Sequence, residues 1–388
     1  LQGGTLTESR STSYPISVAK GKSATWNLAE RSTYSNKITG EGTLSIYCPL
    51  VNGGSWMAPR TPVKCNMSEF EGTLKPQMPY KDNRFTLDNS YGLPKGTMDI
   101  ADGIEVQNTG KVFAIGKVTG TGALGGLVDF GNGVSGYNTW KVGNETNYRW
   151  SGKITGTSTA FVKIGSGKLT VDGNWDNTGS VKVAEGELCL TSGKVIGTGA
   201  VTVDKDARLS GVTGTASLTN SSFTINGELA VGSFANATSG KINFGGKNVT
   251  ISSTGKYVVG KGAYSNTTID DINTLTINGT IEVVFASSYT PKDGDVVTLW
   301  TANKFAGTPN YVLPNLPLGM AWDMSKVSEG ILTIVSDPTA IGVVPFGTKY
   351  GRNDIYDLKG QLVRKNATST EGLPSGVYFR NGKKICLL

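Results

Sequence analysis

The chain contains no histidine. That absence removes Ser-His-Asp and Cys-His nucleophilic chemistry, the usual catalytic zinc sites and the commonest general base. Cysteine is nearly as scarce: Cys48, Cys65, Cys189 and Cys386 are too few for a disulfide scaffold, and no pair has the C-x-x-C spacing of a zinc or redox site. Cys48 follows Leu44 and Ile46 at period two and reads as a small core hydrophobe, with a Cys48–Cys65 bridge as the alternative in an oxidising compartment. No apolar run approaches the ~18 residues of a membrane span, so no membrane insertion is expected. Nucleotide chemistry has no support without a G-x-x-x-x-G-K-[ST] loop or a helix to follow it. Charge is sparse at 17% of the chain, and the net +7 is scattered, with Lys383-Lys384 the longest basic run. Nucleic-acid binding needs a clustered basic stripe, so no such partner is expected; the lysines read as solvated strand faces or as a surface for acidic polysaccharide.

Glycine, in contrast, is abundant, with 53 against only 14 prolines. That ratio favours many short turns in an elongated repetitive chain over disorder. Thr, Ser, Asn, Val and Ile recur throughout, a β-rich composition. One cassette recurs as Lys37-Ile-Thr-Gly40, Lys117-Val-Thr-Gly120, Lys153-Ile-Thr-Gly156 and Lys194-Val-Ile-Gly197. A second, glycine followed by two apolar residues at period two, recurs at Gly42, Gly167, Gly186, Gly199, Gly227, Gly279 and Gly330. Alternate side chains of a strand point to opposite faces, so the apolar pair points inward and the residue between them outward. The glycine supplies a positive φ or a close approach where the chain turns a corner.

One such strand cannot bury its apolar face alone, so copies must stack. The cassette keeps one orientation, strand after corner, which favours a parallel β-helix over a tandem antiparallel sandwich. The expected fold class is all-β: a right-handed single-stranded parallel β-helix with a capping region and a small C-terminal β-sandwich-like domain. The expected divisions are 1–286 for the β-helix, with an elaborated segment at 48–110, then 287–338 for terminal coils and cap, and 339–388 for the C-terminal domain. The opening Leu1-Gln-Gly-Gly reads like the middle of a repeat and predicts a processed product or a fragment, with other domains of a longer parent as partners.

Two stretches resemble known families. Residues Trp150 to Leu190 resemble the passenger-associated repeat of bacterial autotransporter-type secreted proteins, through Ser151, Gly152, Ile154, Gly156, Gly165, Gly167, Leu169, Val183, Gly186 and Leu188. That resemblance implies a right-handed β-helix on a secreted or surface-exposed protein. The end of the chain is similar to the C-terminal sorting-type domain of secreted Bacteroidetes proteins, through Tyr356, Asp357, Leu358, Gly360, Val363, Leu373, Gly376, Val377, Tyr378, Gly382 and Lys384, with Gln361 where that family usually has arginine. Together they imply the outer surface of a Gram-negative bacterium or secretion from it.

No catalytic residue is assigned. Tyr137, Trp140, Tyr148, Trp150 and Trp175 form an aromatic cluster that could stack on sugar rings or pack against the helix wall. Asp204 with Asp206, and Asp270 with Asp271, are candidate calcium ligands because an Asp-x-Asp pair projects both carboxylates to one side of a strand; no other cofactor is expected. Asp293-Gly-Asp295 reads first as a turn. The leading expectation is a non-catalytic adhesin, stalk or glycan-binding module whose partner is a polysaccharide or a host or cell-surface glycan. The alternative is a polysaccharide lyase or glycoside hydrolase, or its accessory part, using outward aspartates.

Overall fold

The glycine-led cassette is one strand of a coil, and coils stack directly on one another. The computed structural model describes residues 1–29, 32–48, 63–78, 83–109, 112–128, 135–136, 138–211, 214–232, 240–263, 265–337, 354–380 and 383–387. Among them strands account for 55% of the chain and form a parallel β-solenoid of about 11 turns. The only helical element described is a single 3-10 turn, Val327–Glu329. Two compact units are resolved: Leu1–Asn315 with Trp322–Val335, and Leu316–Ala321 with Ser336–Leu388.

The first unit is built from in-register columns. On one face Leu169, Leu188, Leu209, Leu229, Tyr257 and Ile281 stack in parallel register, and all are fully buried. Their spacing, 19 to 28 residues, is the true coil repeat. The Lys-x-x-Gly copies are not equivalent positions, since Lys153 pairs with Ala123 rather than with Lys117. A larger face, 15 strands among the described residues, carries the inward column Phe113, Trp140, Phe161, Val181, Val201, Phe223, Val249 and Leu275. Within 48–110, the strand Thr73–Gln77 belongs to the larger face and Asn66–Phe70 to a separate three-stranded parallel sheet, while 49–62 and 79–82 lie outside the described residues.

Each corner uses two kinds of glycine. Gly40 holds φ at 102°, a left-handed conformation that a side chain disfavours. Two residues on stands Gly42, and a Cβ on Gly72, its counterpart in the next coil, would lie 1.9 Å from the Gly42 carbonyl oxygen, so these coils touch backbone to backbone.

The residue between the glycine and the first apolar position forms a ladder of alternating charge. Lys168, Glu187, Arg208, Glu228 and Lys256 stand in one outward column. Arg208 Nε lies 3.1 Å from Glu228, and Lys256 Nζ lies 2.9 Å from Glu228 and 3.1 Å from Glu282. Each such half-exposed pair contributes only about 0.5 kcal/mol, but a one-residue slip would break the alternation and expose the apolar column together.

One inward position is not apolar. Lys163 stands between Val142 and Val183 in an interior column and is fully buried. Its ammonium donates to the carbonyl oxygens of Ile164 and Gly165 at 2.8 Å and of Glu185 at 3.2 Å, which engages all three protons. Burial pushes its pKa down to about 8, against the opposing pull of the Glu185 and Glu187 carboxylates. Between about pH 8 and the usual lysine value of 10.5 the unfolded chain holds a proton that the folded chain has lost, so stability rises with pH across that window. Below it both states are charged and the penalty is constant. Discounted for the exposed Glu185 side chain beside the site, the gain is about 2 kcal/mol. Urea denaturation of wild type and Lys163→Met should show their stability difference shifting toward wild type by that amount over the window; a pH-independent difference would refute the buried-charge account.

Cys48, Cys65 and Cys189 are buried free thiols, so the Cys48–Cys65 bridge is not formed. Burial raises the Cys48 thiol pKa strongly, with Cys65 adding to it, and pushes Cys65 up to about 12. Both behave as core hydrophobes.

Beyond the last coils Val296–Thr298 pairs antiparallel with Ile331–Ser336, and Trp300 stacks on Phe305 at 4.7 Å. The second unit is a small antiparallel sheet ordered Leu362–Arg364, Ile355–Tyr356, Gly376–Arg380 and Lys383–Leu387. Its core is Ile355, Ala367 and Tyr378. Asp357 Oδ1 accepts from the backbone N–H of Lys359 at 2.9 Å and of Gln361 at 2.8 Å, closing the turn that Gly360 makes at φ 72°.

Candidate functional site

The aromatic cluster lies inside the solenoid. Trp140, Trp150 and Trp175 are 0%, 1% and 2% exposed and Tyr148 is 9% exposed, which excludes stacking on an external sugar. Trp140 meets Phe113 at 5.7 Å between ring centres, Trp150 meets Trp175 at 6.0 Å, and Trp175 meets Phe161 at 4.5 Å. The packing role is the one they perform. Tyr137 lies outside the described residues.

The aspartate pairs are not matched carboxylates on a strand. Asp204 and Asp206 lie in the corner between Val201–Val203 and Arg208–Gly211, with Asp206 at φ 66°. Asp204 is paired with Lys182 at 2.7 Å. Asp270 is paired with Lys241 at 2.7 Å, and Asp271, at φ 52°, donates its N–H to the Asp270 carboxylate where the register of the strand shifts. Asp295 accepts from Tyr289 Oη at 2.6 Å and from the N–H of Lys292 at 2.8 Å, as a turn residue. Among the described residues no group of three or more His, Cys, Asp or Glu side chains is placed to hold a metal, and no helix is long and apolar enough to cross a membrane.

Two surface grooves, each of about 420 Å³, gather polar groups instead. The first forms where outward residues of successive coils meet. Tyr47 ends the strand Thr43–Tyr47 and stands beside Gln77, while Ser45 stands beside Lys75. Lys75 Nζ pairs with Asp99 at 2.9 Å, and Asp99 also accepts from Thr119 Oγ1 at 3.0 Å. Pro76, Met78, Ala101 and Ile104 complete the lining. An aromatic face, an amide and a fixed ion pair thus share one rigid wall, the combination that holds a sugar ring by its apolar face and its hydroxyls.

The second groove crosses four coils. It is lined by Glu105, Thr155, Thr157, Asp176 and Thr178 with the backbone of Gly126 and Gly156. Glu105 accepts from Thr155 Oγ1 at 2.9 Å and from Gln107 Nε2 at 3.1 Å. It reaches Thr155, fifty residues away, over Gly125, where a Cβ would lie 2.4 Å from the carboxylate carbon.

Sequence reasoning singled out none of Tyr47, Lys75, Gln77, Glu105 or Asp176 as a site. Tyr47 was findable, since it stands opposite in alternation to inward Ile46. Glu105 and Asp176 were not, because only coil stacking brings them to one groove. The chain matches no protein-family model and no curated protein, so the geometry alone carries the functional reading.

Proposed function

We propose that this chain is a non-catalytic β-solenoid of a secreted or surface-displayed bacterial protein, and that it binds a polysaccharide or cell-surface glycan in the groove of Tyr47, Lys75, Gln77 and Asp99. The observation that carries this reading is the groove itself: a half-buried aromatic face beside an ion pair 2.9 Å across, on stacked strands that do not need to reorganise. The secreted or surface location rests on the resemblance to an autotransporter-type repeat. Its Leu169, Val183 and Leu188 are inward residues of real coils, and its Gly156, Gly165 and Gly186 take positive φ at the corners. In the stretch that resembles a sorting-type domain, Asp357 and Gly360 build a turn and Tyr378 belongs to a small core.

Retention on a panel of neutral and acidic polysaccharides tests the reading. Tyr47→Ala is expected to weaken retention about tenfold, the loss of one stacked ring, with little change in melting temperature. Retention equal to wild type in both Tyr47→Ala and Lys75→Ala would move the site elsewhere. Release of sugar products by the wild-type chain would overturn the non-catalytic assignment.

A further inference from the structure

We infer that the groove crossing the coils at Glu105 and Asp176 is a divalent-cation site of the calcium class. The side chains lining it offer only oxygen: two carboxylates, Glu105 and Asp176, and the hydroxyls of Thr155, Thr157 and Thr178. No lysine or arginine is among the lining residues. A second observation is independent of this acidic lining. The point that a Cβ on Gly126 would occupy lies 2.5 Å from Thr159 Oγ1 and 3.6 Å from the backbone oxygen of Thr157. Thr159 is fully buried and its Oγ1 has no hydrogen-bond partner among the described residues. Asn138, in register with Thr159, is buried too, and its Oδ1 likewise has no partner. Buried oxygens are seldom left unpaired. Here one of them faces a cradle that exists only because residue 126 is glycine.

Calcium suits this donor set better than the alternatives. It takes six to eight oxygen ligands at about 2.3–2.6 Å in flexible geometry, whereas zinc prefers nitrogen and sulfur and magnesium demands a tight octahedron. With only two carboxylates, the dissociation constant is expected on the order of 10⁻⁴–10⁻³ M, the range of extracellular modules. The site also has a consequence for the fold. Glu105, Gly126, Thr155 and Asp176 come from four successive coils, so a bound ion would clamp those coils together. The glycan groove at Tyr47 is a different site, and the two readings stand or fall separately.

Terbium luminescence provides the test, because two indoles stand directly behind the groove. Trp140 Nε1 donates to the carbonyl oxygen of Gly125 at 3.0 Å, and Trp175 immediately precedes Asp176. Excitation of tryptophan should produce sensitised terbium emission that calcium displaces. Calcium at millimolar concentration should also raise the melting temperature, by about 3 °C. Glu105→Gln and Asp176→Asn should each weaken terbium binding about tenfold or more, while melting as wild type in chelator. Gly126→Ala, which fills the cradle, should weaken terbium binding too, with some loss of stability because its Cβ would crowd the buried Thr159 Oγ1. Asp204→Asn and Asp270→Asn should leave the emission unchanged. Absence of sensitised emission, or emission lost on Asp204→Asn or Asp270→Asn but retained in Glu105→Gln and Asp176→Asn, would overturn the assignment.

Discussion

Trp150→Ala is expected to lower stability by about 3–5 kcal/mol and to leave glycan retention unchanged. Trp150 is 1% exposed and stands in register with Val171 at the head of an interior column. Its ring meets Trp175, which meets Phe161, so removing it opens a cavity bounded by other large rings on stacked coils. Those coils are held by parallel ladders above and below and cannot collapse to fill the space. The indole Nε1 has no hydrogen-bond partner among the described residues, so Trp150→Phe loses volume but no bond and should cost appreciably less. Urea denaturation with hydrogen exchange on the neighbouring strands measures both, since in a solenoid the damage should be greatest in adjacent coils. Wild-type stability in Trp150→Ala would mean the ring is not in the core.

Gly173→Ala should cost at least about 3 kcal/mol, large for the addition of one methyl group. A Cβ there would lie 1.8 Å from the carbonyl oxygen of Gly152 and 2.8 Å from its carbonyl carbon. The obstructing atoms are backbone atoms of the next coil, which have no rotamer by which to move aside. Relief requires the coils to part, and that stretches ladder hydrogen bonds on both sides of the corner. Gly211→Ala is the control, because its nearest contact would be an Ile242 side-chain carbon at 3.5 Å and its φ is not positive. That substitution should be neutral or stabilise by up to about 1 kcal/mol through the unfolded chain. Equal thermal midpoints for the two variants would refute the close-approach account of the corner glycines.

Much of the fold was legible because the side-chain period of a strand is two. Gly167-Lys-Leu169-Thr-Val171 states which residues point inward: Leu169 and Val171 are fully buried, with Thr170 between them 9% exposed. The same rule places Trp140 inside, two residues before Val142, and Lys163 inside, two after Phe161. Of the two roles open to the tryptophans, that alternation favours packing over sugar stacking. The charge ladder was also latent: the residues between glycine and leucine run Lys168, Glu187 and Glu228, but their alternation with Arg208 and Lys256 becomes visible only when coils of 19 to 28 residues are aligned.

By itself, then, the sequence determined the architecture: all-β, coils entered through glycine, apolar columns inward, and a small β region at the C-terminal end, expected as sandwich-like and found as an antiparallel sheet. Those properties follow from local periodicity and from the inability of one short strand to bury its own face. The tertiary structure alone decided the grooves. Tyr47 and Asp99 line one groove and Glu105 and Asp176 another across variable corner lengths, so no fixed spacing in the chain encodes either grouping. It also decided that the Lys163 ammonium ends on three carbonyl oxygens, because a corner exposes backbone acceptors to the interior where a strand would have paired them.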